Sequence, residues 1–462
     1  MNHFHRFALL VLLAALLVPS SIASAQEGDP QGLQYIVQPG DTLSSIALRF
    51  DVSMNEIISA SQLANPDSLN VGDVLVLPGI DWIEGVLTLE DMAYGESFLS
   101  LQRRYLLPTE SLFRLNRITS PEQLYAGFPL LLATERGELL ESARRVVAPG
   151  VSLLEMALLS DENPWNIAAL NQLSGTWQAA PGDVLFTPAQ AGSGPGALPT
   201  VVTSLSVQAP GIVQGKTSVI TIESNSDISL GGQLVGEPLH FFPDEQGQWI
   251  ALQGLSLRSS AGTYSLAISG NVDGAPFTFA QSVRVLDGGY ASETLNVDPE
   301  LLNPELSAAE SEQISEIISN ASPNKMWQGF WAPPHPYTNV INSEFGTHRQ
   351  YNGGSYESFH YGVDFGGGVG IEIWAPAPGK VVFAGPLEVR GNTTVIDHGW
   401  GVYSGYFHQS EMLVNVGDEV SPGQLIGLVG NSGRSSGAHL HWEVWANGIS
   451  VAPLDWLARI FP

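Results

Sequence analysis

The sequence predicts a multidomain, mostly β protein: three βααβ repeats, a β-sandwich and a C-terminal antiparallel β-sheet. Three observations carry this. At 462 residues the chain is too long for one ordinary core. Its 49 Gly, 30 Pro and only 14% charged residues suit strands and turns better than long charged helices. A spacing of 55 residues also recurs, linking Gly40 to Gly95 and Gly150, and Gly72 to Gly127 and Gly182. A fixed period maintained through several kinds of local pattern marks repeated structural units.

The N-terminus reads as an export address. Arg6 and two histidines precede the apolar run Phe7 to Val18, and Ala23-Ser24-Ala25 supplies a small-residue cleavage motif. Residues 1–25 are therefore expected to be a signal peptide cut before Gln26. The apolar run is short for a membrane span and no later stretch offers one, so a secreted or cell-envelope protein is expected, with no membrane contact after processing. The net charge of -28 speaks against a nucleic-acid partner, which needs clustered Lys and Arg. With no cysteine in the chain, export brings no disulfide, and a metal site must draw on His, Asp or Glu.

Residues 34–79 open with Tyr35-Ile36-Val37-Gln38-Pro39-Gly40-Asp41-Thr42-Leu43 and close with Val71-Gly72-Asp73-Val74-Leu75-Val76-Leu77-Pro78. The ends alternate like strands and the middle has helical spacing. The segment resembles the LysM module of peptidoglycan- and chitin-binding proteins, which implies carbohydrate binding around Gly40, Asp41 and Thr42. Residues 87–134 and 143–189 repeat the pattern in degraded form. Ser61 becomes Asn116 and Asn171, while Asp41-Thr42 becomes Glu96-Ser97 and then Val151-Ser152. Two readings stand for these copies: spacers that keep the fold, or weak sites whose linkage raises avidity.

Residues 190–200 read as a Gly/Pro/Ala/Ser linker. Over 201–287, short alternating segments follow at 201–207, 217–223, 248–252, 262–269 and 277–286. Gly231-Gly232, Ser259-Ser260-Ala261-Gly262 and Asp273-Gly274 are read as turns between them. This spacing suggests an immunoglobulin-like β-sandwich in a spacer or docking role, with His240 on its surface. In the 288–330 connector, Ser307-Ala308-Ala309-Glu310 has a capping-box pattern and Ile314, Ile317 and Ile318 form one stripe, predicting a helix over 308–319.

The chemistry gathers in residues 331–462. His439-Leu440-His441-Trp442-Glu443-Val444-Trp445 reads as a strand, placing His439, His441 and Glu443 on one face and Leu440, Trp442 and Val444 on the core side. His360 and Asp364 are four apart in a glycine-rich segment that argues against a helix, so an extended backbone would set them on a common face. His, Asp and His are three donors that leave one tetrahedral position open, the composition of a catalytic zinc site.

Residues 342–456 resemble the lysostaphin-type zinc endopeptidases of peptidoglycan. The resemblance rests on H-x-G-x-D at His360 to Asp364, Ala375-Pro376 with Gly379 and Val381, Ile396-Asp397-His398-Gly399 and Tyr406-Phe407-His408. It continues through Val416-Gly417-Asp418 and Gly430-Asn431-Ser432-Gly433 to His439-Leu440-His441. It implies that His360, Asp364 and His441 hold one zinc ion and that His408 and His439 face it. His439 is assigned the general-base role and His408 the steadying of the oxyanion, with the roles exchangeable. Gln409 and Ala438 depart from residues common in the family without removing a ligand. Glu443 is either a support for a ligand or an ordinary strand glutamate. Tyr356, Tyr406 and Arg349 are more readily packing or loop residues than substrate contacts, and His398, His348 and His335 read as structural. The implied activity is cleavage of peptide stems or cross-bridges in bacterial peptidoglycan. The alternative is a non-catalytic wall-binding scaffold or an activator of another hydrolase, a role taken by relatives that have lost ligands.

Overall fold

The computed structural model describes residues 32–66, 68–105, 107–134, 142–188, 196–209, 211–296, 304–354 and 358–462. The expected signal peptide and Tyr356 lie outside them. The chain divides at Gly85 into two compact units, each described by itself.

In the first unit, Leu33–Ile36 pairs antiparallel with Val74–Leu77 around helices Leu43–Phe50 and Met54–Ala60. Local chemistry dictates the helix starts. The Thr42 hydroxyl accepts the Ser45 N–H while the Ser45 hydroxyl accepts the Thr42 N–H, and Ser53 with Glu56 repeats this box. Asp41 accepts the Tyr35 hydroxyl at 2.6 Å and the Gln38 N–H at 2.8 Å, so the Gly40-Asp41-Thr42 turn is fastened from within. Tyr35, Ile46, Ile57 and Leu75 fill the small core.

The second unit begins with two further strand–helix–helix–strand segments. One runs Val86–Asp91, Phe98–Tyr105, Thr109–Asn116, Pro129–Thr134; the other Ser142–Val146, Leu153–Leu159, Pro164–Leu170, Val184–Pro188. The register marker has a physical basis. Asn171 donates to the carbonyls of Ile167 and Phe186 and accepts the Phe186 N–H, locking the second helix to the last strand. Asn116 does the same with Leu112 and Leu131, and Ser61 makes the strand half of that link to Val76 in the first unit. The Gly95-Glu96 turn is sealed. Glu96 is 2% exposed, receives the Ser100 hydroxyl and the Gly196 N–H, and pairs with Arg104 at 2.6 Å, while Gln281 accepts the Gly95 N–H.

Two four-stranded antiparallel sheets follow. One orders Glu237–Leu239, Ser229–Leu234, Gly262–Val272 and Ala275–Val285; the other Phe242–Pro243, Trp249–Gly254, Thr217–Ser224 and Val202–Val207. Their inner faces share a core that includes Ile220, Ile222, Leu266, Ile268 and Phe277. Two expectations are corrected. Gly231-Gly232 is not a turn but lies within Ser229–Leu234, because a Cβ on Gly232 would sit 2.3 Å from the Ala267 carbonyl oxygen. Leu198, expected in the linker, is fully buried in this core.

The C-terminal sheet has ten strands. Its main path runs Ile341–Ser343, Val363–Gly366, His439–Ala446, Val402–Met412, Gly391–Gly399, Gly379–Leu387 and Glu419–Val420. Leu440, Trp442 and Val444 point into a core with Val363, Phe365, Ile396 and Tyr406. That core continues into the sandwich through Val219, Ile250 and Leu252. Phe242 stacks on Trp400 at 5.6 Å, Lys216 pairs with Asp455 at 3.0 Å, and the Ala452 N–H donates to Gly215.

The described parts of the connector are folded. Ser292–Leu295 pairs parallel with His348–Tyr351, and the connector helix spans Pro304–Ile317 instead of 308–319. Proline, with its fixed φ, suits a first helical turn, so Ser307 falls inside the helix and accepts Arg434 rather than capping.

Candidate active site

His441 stands in the middle of the sheet, opposite Asp364 on one neighbouring strand and Phe407 on the other. His360 arrives differently from the sequence expectation. It is not in one extended segment with Asp364: Ser358–Phe359 belongs to a small three-stranded sheet, and the chain crosses at 360–362 into Val363–Gly366. Glycine permits the crossing, since a Cβ at Gly362 would meet the Trp442 carbonyl at 2.6 Å and the His441 ring at 2.7 Å. The three side chains nevertheless converge. His360 Nε2 lies 3.0 Å from Asp364 Oδ1 and 3.0 Å from His441 Nδ1, and His441 Nδ1 lies 2.6 Å from Asp364 Oδ1.

The outward nitrogens show which lone pairs face the centre. His360 Nδ1 donates to the Glu344 carbonyl at 2.9 Å, and His441 Nε2 donates to Glu443 at 3.0 Å. In its neutral form each ring presents its other nitrogen, unprotonated, beside the Asp364 carboxylate, and the same carboxylate steadies His441 when that nitrogen carries a proton. Two imidazole nitrogens and a carboxylate oxygen within 4.8 Å of one another suit a divalent ion such as zinc. Glu443 is 5% exposed and so is not a surface residue: it orients His441 and also receives the Ser450 hydroxyl.

His408 and His439 complete the cluster, their rings 4.9 Å apart and that of His408 6.2 Å from His441. His408 Nδ1 donates to the Ser432 carbonyl at 2.8 Å and His439 Nδ1 to the Gly437 carbonyl at 2.8 Å. Both keep an Nε2 lone pair, and that of His439 is 3.7 Å from Asp364. All five residues named for the chemistry are thus brought together.

The electrostatics follow from burial and pairing. Burial would lower His441, but Asp364 and Glu443 outweigh it and hold it up at about 9. Burial would raise Asp364, yet the charge on His441 and the close approach of both imidazoles keep it well below the usual carboxylate range. Burial, with the charges of His441 and His439, pushes His408 down to about 3, so it is neutral near pH 7.

The residues read as structural divide. His398 is fully buried, its Nδ1 donating to Pro378 and its Nε2 accepting from Ser404, which in turn receives the Tyr406 hydroxyl. His335 stacks on Phe365 and His348 contacts Phe359 edge-on. Arg349 is not a plain packing residue: it pairs with Glu293 at 2.8 Å, donates to Ser343 at 2.8 Å and reaches 3.6 Å from Asp364 Oδ2. Glu293 and Ser343 carried no motif, and the Glu344 carbonyl has no side-chain signature at all.

Residues 358–453 match peptidase family M23, and residues 35–78 match the LysM domain. The chain carries an M23 peptidase domain and a LysM domain. The M23 domain is similar to peptidoglycan DD-endopeptidase ShyA of Vibrio cholerae, 38% identical over 111 residues covering 24% of this chain and 26% of ShyA. It is also similar to murein hydrolase activator NlpD of Escherichia coli, 41% identical over 107 residues covering 23% of this chain and 28% of NlpD. The chain spans about a quarter of the length of these relatives. A crystal structure of a putative peptidase M23 from Pseudomonas aeruginosa aligns at 24% identity and a TM-score of 0.42, over 54% of this chain and 96% of the other.

Proposed function

We propose that this protein is an exported zinc endopeptidase that hydrolyses peptide stems or cross-bridges of bacterial peptidoglycan, held on the glycan by its LysM module. The reading rests on one observation above others: His360 Nε2, Asp364 Oδ1 and His441 Nδ1 converge to within 3.0 Å while their outer atoms are tied elsewhere. Zinc, when bound there, supplies a Lewis acid and brings the pKa of a bound water toward neutrality.

The chain's own residues do the rest. His439, with its Nε2 lone pair turned to the site, takes a proton from the attacking water and returns it to the leaving amine. His408 steadies the oxygen that gains negative charge, or exchanges roles with His439. Glu443 and the Glu344 carbonyl keep the two ligand rings in their tautomers. In the LysM module Gly40, Asp41 and Thr42 form the turn offered to sugar, whereas the equivalent turn of the second repeat is sealed by Glu96 and Gln281 and serves as a joint. Among the described residues no helix is long and apolar enough to cross a membrane.

Digestion of purified walls tests the proposal: the wild type releases new amino groups and His360→Ala, with its fold intact, does not. Equal release by both would overturn it. A second reading is favoured by the 41% identity to a murein hydrolase activator. On that reading the protein stimulates another wall hydrolase and releases no amino groups itself.

A further inference from the structure

We propose that Glu310, on the connector helix and outside the region matched to the M23 family, is a positioning residue for His408. The inference rests on the reading of His408 as part of the catalytic machinery.

His408 has φ = 59°, the left-handed region, which a non-glycine residue keeps only where its surroundings over-determine it. Two hydrogen bonds do so. The His408 N–H donates to the Arg390 carbonyl at 2.9 Å, and its Nδ1 donates to the Ser432 carbonyl at 2.8 Å. Both anchors lie on adjoining turns, since the Arg434 N–H donates to the Val389 carbonyl at 2.8 Å. The 389–391 turn is therefore the pivot for the backbone of His408 and, through its neighbour, for the imidazole.

The far side of this turn is held by its own hairpin, the Thr393 hydroxyl donating to the Gly391 carbonyl and the Asn392 N–H to Ser432. Gly391 and Gly433 both have positive φ and meet face to face, a Cβ on Gly433 falling 2.3 Å from the Gly391 nitrogen. The grip on the Val389 and Arg390 N–H groups comes from the connector. The Glu310 carboxylate, on a residue 5% exposed, accepts the Val389 N–H at 2.6 Å and the Arg390 N–H at 3.1 Å, and the Arg390 guanidinium stands 3.5 Å away. A carboxylate taking two consecutive backbone N–H groups is a strong, directional clamp. The helix that carries it is seated independently by Ile314 and Ile318 against Tyr403, Phe407 and Trp445. Ser307 and Ser311 add contacts to Arg434 and Arg390.

The test uses the full-length, zinc-loaded chain, with Glu310→Ala, Glu310→Gln and, as a control on an exposed position of the same helix, Glu312→Gln. Hydrogen–deuterium exchange of peptides spanning 387–392 reads the clamp, and of peptides spanning 405–412 its effect on His408. Glu310→Ala is expected to lose about tenfold or more of the protection there, with strands at 363–366 and 439–446 unchanged. On purified wall its kcat is expected to fall roughly ten- to hundredfold with KM and zinc content unchanged. Glu310→Gln, which keeps one acceptor, falls between, and Glu312→Gln matches wild type. Unchanged protection at 405–412 in Glu310→Ala overturns the proposal, as does a protection loss spread evenly over the sheet. Should Glu310→Ala fail to fold, the near-isosteric Glu310→Gln carries the same test. If the wild type releases no amino groups, the functional reading fails and the exchange result alone decides the positioning role.

Discussion

Acid should weaken the peptidase sheet through one buried histidine outside the active site. His398 is fully buried, its Nδ1–H fixed on Pro378 and its Nε2 facing the Ser404 hydroxyl, so a second ring proton would place a charge out of reach of water. Burial pushes its pKa from 6.5 to about 4, against a smaller opposing effect of the Pro378 hydrogen bond. Between those values the unfolded chain binds the proton and the folded chain does not. Stability from this site is then complete above pH 6.5 and lost as pH falls toward 4. The difference corresponds to about 3 kcal/mol at one tenfold per 1.36 kcal/mol. Denaturant melts followed by tryptophan fluorescence suit the measurement, because the Trp331 ring lies 4.6 Å from His398. Other groups titrate over the same range, so the quantity to read is wild type minus His398→Gln at each pH. That difference should shrink by about 3 kcal/mol from pH 7 to pH 4. A difference constant with pH would refute the reasoning.

Three further outcomes are expected. His441→Ala should lose zinc while His439→Ala keeps it and loses turnover, as read by metal analysis beside wall digestion; equal metal loss would end that division of labour. Glu443→Gln should weaken zinc binding roughly 10- to 100-fold in a chelator competition, since the carboxylate on His441 is then neutral. Gly254→Val should destabilise the joint between sandwich and peptidase sheet by about 1–3 kcal/mol in a thermal melt. Even the first added carbon there meets Ile449 at 2.7 Å and the Ala446 carbonyl at 2.9 Å; an unchanged melt would mean the joint can open freely.

What the sequence made legible were features written in side-chain identity and period. The 55-residue step exposed the repeats because Asn116 and Asn171 each perform the same lock, and alternation along His439 to Trp445 placed His439 and His441 on the face opposite Leu440, Trp442 and Val444. What it hid depends on backbone and on distance along the chain. The Gly231-Gly232 pair looks like a turn, and only the Ala267 carbonyl pressing on it shows why a strand needs glycine there. Glu344 contributes a carbonyl, invisible in any motif. Glu293 carries no motif, Glu310 reads as part of a capping box and Arg349 as a packing or loop residue, until the fold brings Arg349 to Asp364 and Glu310 to the turn beneath His408.

The joint between sandwich and sheet also bears on the order in which the protein assembles. Lys216 waits 239 residues for Asp455, and the Ala209 carbonyl waits 250 for Arg459. During synthesis the apolar side of Val219, Ile250 and Leu252 therefore stays open until the segment carrying His441 arrives to cover it. Closing that face and completing the ligand set belong to the same late event. A partly made chain exposes a sticky surface but has not yet brought His441 to His360 and Asp364, which makes the interval before closure the stage where chaperone capture or aggregation would compete with folding.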